Sequence, residues 1–132
     1  MLKTMRKLRT ANIVLVIDDE EAFCLMLSKM LGALGYKVIT STSAMCTHLE
    51  YMDRADIIFI DMKMPDMDGL QVLDFLSHQN IKSSIVLMSG AEIENLSKAE
   101  VFAKRSDLHL IGVLDKPFRE RDIRAVLDAD YV

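Results

Sequence analysis

The chain is expected to form one α/β domain, a five-stranded parallel sheet sandwiched between layers of helices. Three observations carry that expectation. Five short apolar runs are each followed by a longer segment with helical periodicity, giving five β-α units. Most of the runs are apolar without alternation, as strands covered on both faces require. No internal repeat, low-complexity segment or linker interrupts the series, and 132 residues suit a single core.

The elements follow in order. Residues 12–17 read as the first strand. Residues 20–34 carry Phe23, Leu27, Met30, Leu31 and Leu34 on one stripe, with acids in the first turn. Gly35 stands just past that helix, where a left-handed cap is expected. Residues 36–40 form the second strand and 43–52 a shorter helix bearing Met45, Leu49 and Met52. The third strand is 55–60, followed by a helix over 70–77 with Leu70, Leu73 and Leu76. The fourth strand is 84–88. The helix from Glu92 to Arg105 behind it shows Ile93, Leu96, Ala99 and Ala103. The last pair is a strand over 109–114 and a helix over 120–129 with Ile123, Val126 and Leu127. The ten methionines fall mostly at apolar positions and read as core filling.

Bulk composition narrows the function classes. An apolar share of 51% beside a charged share of 27% is that of a soluble globular domain, expected in the cytoplasm. The longest apolar runs fall short of the roughly 20 residues that span a bilayer, so no membrane is expected as partner. No n-region, h-region and cleavage site occur in order. A net charge of -4 argues against a scaffold for nucleic acid. Residues 1–10, with Lys3, Arg6, Lys7 and Arg9, read as a basic solvated tail ahead of a domain over 11–132. Cys24 and Cys46 have no CxxC spacing and no matching His pair, and are expected to be buried free thiols.

In open parallel sheets, ligands bind outside the carboxyl ends of the strands, at the switch in strand order. The residues placed there are distinctive: Asp18 and Asp19 after the first strand, Asp61 after the third, Ser89 after the fourth, Lys116 after the fifth. With a strand order of 2-1-3-4-5, the first and third strands are neighbours and three carboxylates crowd together. Like charges so close raise one another's pKa unless a cation offsets them. An all-oxygen set favours Mg²⁺, Mn²⁺ or Ca²⁺ over zinc, and Mg²⁺ leaves room for a phosphate oxygen. Lys116 offers a compact positive charge and Ser89 a hydroxyl donor on the other side. A carboxylate nucleophile, a metal, an ammonium and a hydroxyl are the parts needed to receive a phosphoryl group. Each piece has a plainer reading. The Asp pair could be an N-cap, "PDMDG" and Ser-Gly only turns, and Lys-Pro by itself says nothing. Their coincidence at strand ends is what points to a site.

The motifs "VIDDEEAF", "FIDMKMPDMDGL", "LMSG" and "LDKPF" resemble, in order and spacing, those of the response-regulator receiver domain of two-component signalling, over roughly residues 11–129. The resemblance implies a flavodoxin-like, CheY-like three-layer sandwich with five helices. It implies transfer of a phosphoryl group from a histidine kinase or phosphotransfer protein to Asp61. Asp19 and Asp61 would bind Mg²⁺ through their side chains and Lys63 through its backbone carbonyl, with Asp18 acting through a water. Lys116 would contact the phosphoryl group, following a cis bond to Pro117, and Ser89 would swing toward it. The helix from Glu92 to Arg105 would present a partner or homodimer surface, unless its charges are only a solvated face.

Two departures from the family pattern stand out. Three residues before the lysine, where the family often has Tyr or Phe, this chain has Val113. The stretch between Ser89 and Lys116 is longer than in compact members and similar to receivers fused to cyclic-di-GMP phosphodiesterase domains. An output domain beyond Val132 would fit that likeness. Two other functions compete. A haloacid-dehalogenase-like phosphatase also uses a strand-end aspartate, but wants an acid two residues later, where Lys63 stands. A degenerate receiver used only for docking would lack acceptor residues that are all present here.

Overall fold

The computed structural model describes residues 13–42, 54–65, 67–90 and 93–129. Five strands, β1 (Ile13–Ile17), β2 (Lys37–Ser41), β3 (Ile57–Asp61), β4 (Ser84–Ser89) and β5 (His109–Asp115), form one parallel sheet in the order β2-β1-β3-β4-β5. Four helices are described: α1 (Glu21–Ala33), α2 (Gly69–Ser77), α3 (Ile93–Arg105) and α4 (Glu120–Ala129). The helix expected over 43–52, like Cys46 and the tail over 1–10, lies outside the described residues. None of the described helices is long and apolar enough to cross a membrane.

The central strands are apolar without interruption because their alternate residues serve two different cores. Leu15, Ile17, Ile58, Ile60, Ile85 and Leu87 face one side, against Val72, Leu73 and Leu76 of α2 and Ala99 of α3. Val14, Val16, Phe59, Val86 and Met88 face the other, against Cys24, Leu27 and Leu31 of α1 and Ile123 and Leu127 of α4. Every residue of β3 and β4 is buried, whereas β2 and β5, at the sheet edges, are mostly half-exposed.

The C-terminus of α1 is closed by the glycine expected there, and the N-terminus of α2 by a capping box. Gly35 takes φ +98, and its N–H and that of Tyr36 donate to the carbonyls of Gly32 and Leu31. That pair of bonds is a Schellman cap. At α2, Asp68 accepts from the Gln71 N–H while the Gln71 side chain accepts from the Asp68 N–H, a reciprocal capping box.

Gly69 sits at the closest approach of α2 to the loop after β3. Its N–H donates to the Met62 carbonyl at 2.9 Å. A Cβ there would lie 2.5 Å from Met62 Sδ and 3.0 Å from Met62 Cα. Met62 is itself buried, so nothing can yield cheaply. Gly69→Ala is expected to destabilise the domain by ~1–3 kcal/mol through overpacking, read as a lower urea midpoint at unchanged slope.

Candidate functional site

The sheet register delivers the site. Ile17 lies opposite Ile60, so the next residues, Asp18 and Asp61, emerge side by side. Asp61 lies opposite Met88, and Ser89 opposite Asp115. Ladder bonds continue one step past the strands: Asp18 N–H to Ser41, Met62 N–H to Met88 and Lys116 N–H to Ser89 carbonyls. These bonds fix the backbone at the mouth of the sheet, so each polar side chain leaves from a rigid point. The Lys116–Pro117 peptide bond is cis.

Lys116 reaches into the acid cluster. Its Nζ lies 2.7 Å from Asp18 Oδ2, 3.3 Å from Asp61 Oδ1 and 3.8 Å from the exposed Glu20 Oε1. Oxygen atoms of Asp18, Asp19 and Asp61 all fall within 4.8 Å of one another. Asp18 is fully buried and both its oxygens are engaged, Oδ2 by Lys116 and Oδ1 by the Glu20 N–H at 3.0 Å. The other two acids keep oxygens toward an open cleft of about 490 Å³, bordered by Asp19, Glu20, Asp61, Lys63, Gly90 and Lys116. The donor set therefore fits a hard divalent cation: two carboxylates face the cleft, and a third acid is pinned behind them. Ser89 is buried at the end of β4, beside Gly90.

The electrostatics of the site are set by burial and by the crowding of its acids around Lys116. Burial and the Asp18 charge push Asp61 up from 3.8 to about 6, against the opposing pull of the Lys116 ammonium and the Lys63 N–H. For Lys116, burial works against the charge, but bonding to Asp18 and attraction by Asp61 outweigh it and hold the ammonium above its ordinary value. Burial, reinforced by Asp18, also raises Cys24 to about 11. That thiol is a buried, unreactive donor to the Asp18 carbonyl at 3.2 Å, as expected for a core cysteine.

The sign of the Asp61 shift sets a pH dependence. Its folded pKa stands above the unfolded value, so between about pH 4 and about pH 6 the folded chain binds more protons. In metal-free buffer, stability is expected to fall as pH rises through that window, by up to about 3 kcal/mol. Urea titrations across the window check this; in Asp61→Asn the slope should flatten.

All six expected site residues, Asp18, Asp19, Asp61, Lys63, Ser89 and Lys116, come to this end of the sheet. The Asp pair does not act as a side-chain cap: the N-cap of α1 is Glu20, which makes no side-chain cap bond. Val113 is half-buried and packs against the core face shared with α2 and α3. Two participants were not singled out from the sequence. Glu20 reads there only as a first-turn acid, and Phe23 only as a member of the α1 core stripe. Phe23 in fact lies under Lys116, with Nζ 4.2 Å from the ring centroid. The periodicity that marks it as apolar carries no sign of that neighbour.

Comparison with known proteins agrees with this geometry. A family model described as the response regulator receiver domain matches residues 14–128. The alkaline phosphatase synthesis transcriptional regulatory protein PhoP of Bacillus subtilis is 29% identical over 119 residues, which are 88% of this chain and 47% of that protein. The cell cycle transcriptional regulator CtrA of Caulobacter vibrioides is 30% identical over 118 residues, 88% of this chain and 48% of that protein. The chain thus spans about half the length of these relatives. The solved structure of a response regulator from Colwellia psychrerythraea superposes with a TM-score of 0.76 at 26% identity, covering 92% of this chain and 98% of that one.

Proposed function

The chain belongs to the response regulator receiver domain family, and from that membership we propose that it is a phospho-switch whose acceptor is Asp61. The observation that carries the assignment is the meeting of Asp18, Asp19 and Asp61 with Lys116 in one cleft. The phosphoryl donor is a phosphohistidine on a histidine kinase or phosphotransfer protein. An Asp61 carboxylate oxygen attacks phosphorus, a P–O bond forms and the P–N bond breaks, its electron pair staying on the imidazole. Asp19, Asp61 and the Lys63 backbone carbonyl, with Asp18 through a water, would hold Mg²⁺ or Mn²⁺, which would supply positive charge to offset that of the transferred group. Lys116 contributes the ammonium on the opposite side. Ser89 turns its hydroxyl toward a phosphoryl oxygen once the group is in place.

The domain acts on nothing but itself: it takes up the group and hydrolyses it slowly. Two residues after Asp61, on the border of the cleft, stands Lys63 and not an acid, which suits that role better than turnover of free phosphate esters. Phosphorylation adds roughly two negative charges beside Ser89 and Lys116. The loops after β3 and β4 reorganise around them, and α3 carries the change to an output domain, a downstream protein or a second copy. Support for α3 as the docking face comes from a shallow groove in which Leu70, Val101 and Phe102 are flanked by Lys98 and Arg105. The setting is cytoplasmic, and the output it serves is transcriptional or related to cyclic-di-GMP.

The test is uptake of phosphate, with Mg²⁺ and acetyl phosphate, read by intact mass. Mg²⁺-dependent, acid-stable and base-labile modification is expected. A parent protein whose mass never changes, and whose amide spectrum ignores beryllofluoride, would rule the reading out.

A further inference from the structure

The acid cleft holds the Lys116 side chain through carboxylate oxygens. Asp18, Asp61 and Glu20 all approach its ammonium with oxygen. A further contact is the face of Phe23, the third residue of α1, at 4.2 Å from Nζ to the ring centroid. That is well inside the roughly 6 Å over which a ring quadrupole attracts a cation. The ring is not free to drift. Phe118, buried and two residues beyond Lys116, meets it edge-on at 5.4 Å and 89°. One aromatic therefore fixes the ring plane and belongs to the same turn as the lysine, while the other receives the ammonium. Lysine needs such a fixture, since its charge rides on a flexible four-carbon stem. The aromatic that the family resemblance leads one to expect on β5 is absent here: Val113 stands there and packs into the core.

We infer that Phe23, backed by Phe118, is a positioning residue that holds the Lys116 ammonium at the phosphoryl-accepting end of the cleft. The inference rests on the acceptor reading above and deepens it. Phe23 is not among the residues that line the acid cleft; it acts through the lysine. Removing the ring face frees the stem to sample positions away from Asp61, so uptake slows while the acids that hold a divalent ion are unaltered. A favourable ring contact at a half-desolvated site corresponds to a change of roughly three- to tenfold in the fraction of correctly placed lysine.

The experiment compares Phe23→Leu and Phe23→Tyr with the parent, with Phe23→Met standing in should the leucine variant fail to fold. Three readouts are taken on each: the Lys116 ε-methylene proton shifts, the initial rate with acetyl phosphate and Mg²⁺, and the Mg²⁺ dissociation constant by spectral titration. Parent and Tyr variant should show ring-shifted ε protons and equal rates. The Leu or Met variant should lose the ring shift and slow by roughly three- to tenfold, with Mg²⁺ affinity kept within about twofold. An unchanged rate in the non-aromatic variant overturns the inference, as does a rate that falls in step with Mg²⁺ affinity, the mark of general damage. Absence of uptake by the parent itself is a different failure: it removes the acceptor reading, and the positioning role with it.

Discussion

Asp61→Asn is expected to abolish phosphoryl uptake and, in metal-free buffer at neutral pH, to raise the melting temperature. The two effects have one cause. The carboxylate is needed as nucleophile, and an amide oxygen cannot replace it, so the rate from a small phosphodonor should drop by at least about 10³-fold. Yet the same carboxylate is buried beside Asp18, and its ionisation is disfavoured until about pH 6. Exchanging it for a neutral group of the same shape relieves that repulsion and is expected to stabilise the fold by ~1–3 kcal/mol. Added Mg²⁺ should close the gap, because it stabilises the parent and not the variant. Intact mass with acetyl phosphate reads the first effect; thermal unfolding with and without Mg²⁺ reads the second. A variant as readily modified as the parent would move the acceptor elsewhere. A variant less stable than the parent without metal would mean that the cluster is not under charge strain.

Lys116→Met should act in the opposite sense on stability. Asp18 has no solvent exposure, and Lys116 is the cation at 2.7 Å that balances it. Removing one partner of a buried pair leaves the other charge stranded, an effect of about 3–5 kcal/mol in comparable settings. The double variant Lys116→Met with Asp18→Asn removes both charges and should recover most of the loss, so the two substitutions should be strongly non-additive. Simple additivity in urea unfolding would show that the pair is not coupled. The single variant should also bind Mg²⁺ more tightly, as an ammonium 3.3 Å from Asp61 no longer competes for that oxygen. Phosphoryl uptake should nonetheless fall, since the charge facing the transferred group is gone.

The strands were legible because a parallel strand with two covered faces leaves a continuous apolar run, which has few other interpretations. Their ends were less so. The sequence places the start of β3 at Ala55, whereas the strand begins at Ile57; Asp56, just ahead of it, accepts the Ile13 N–H on its carboxylate at 2.7 Å and donates its own N–H to the Ile13 carbonyl at 2.8 Å. β3, β4 and β5 each run on into a polar residue, Asp61, Ser89 and Asp115, because ladder bonds involve the backbone and ignore what the side chain carries. The capping box of α2 was present in the sequence as Asp-x-x-Gln, yet "PDMDG" read only as a turn. The acids, serine and lysine of the site were legible because each follows a strand, and strand ends converge whatever lies between them. Phe23 was not. Helical periodicity says which side of α1 is apolar, and only the folded packing of α1 against the turn after β5 says that an ammonium shares that side.

The ladder bonds that run past the strand ends have a further consequence. No single segment owns the acidic cleft: β1, β3 and β5 must all be zipped to their neighbours before its corners exist. An ion captured there would therefore slow hydrogen exchange across the middle of the sheet as a unit, rather than quieting one loop. With a divalent ion bound, the cleft would act as a latch on the whole domain, and a partly unravelled chain would lose the corners that hold the ion.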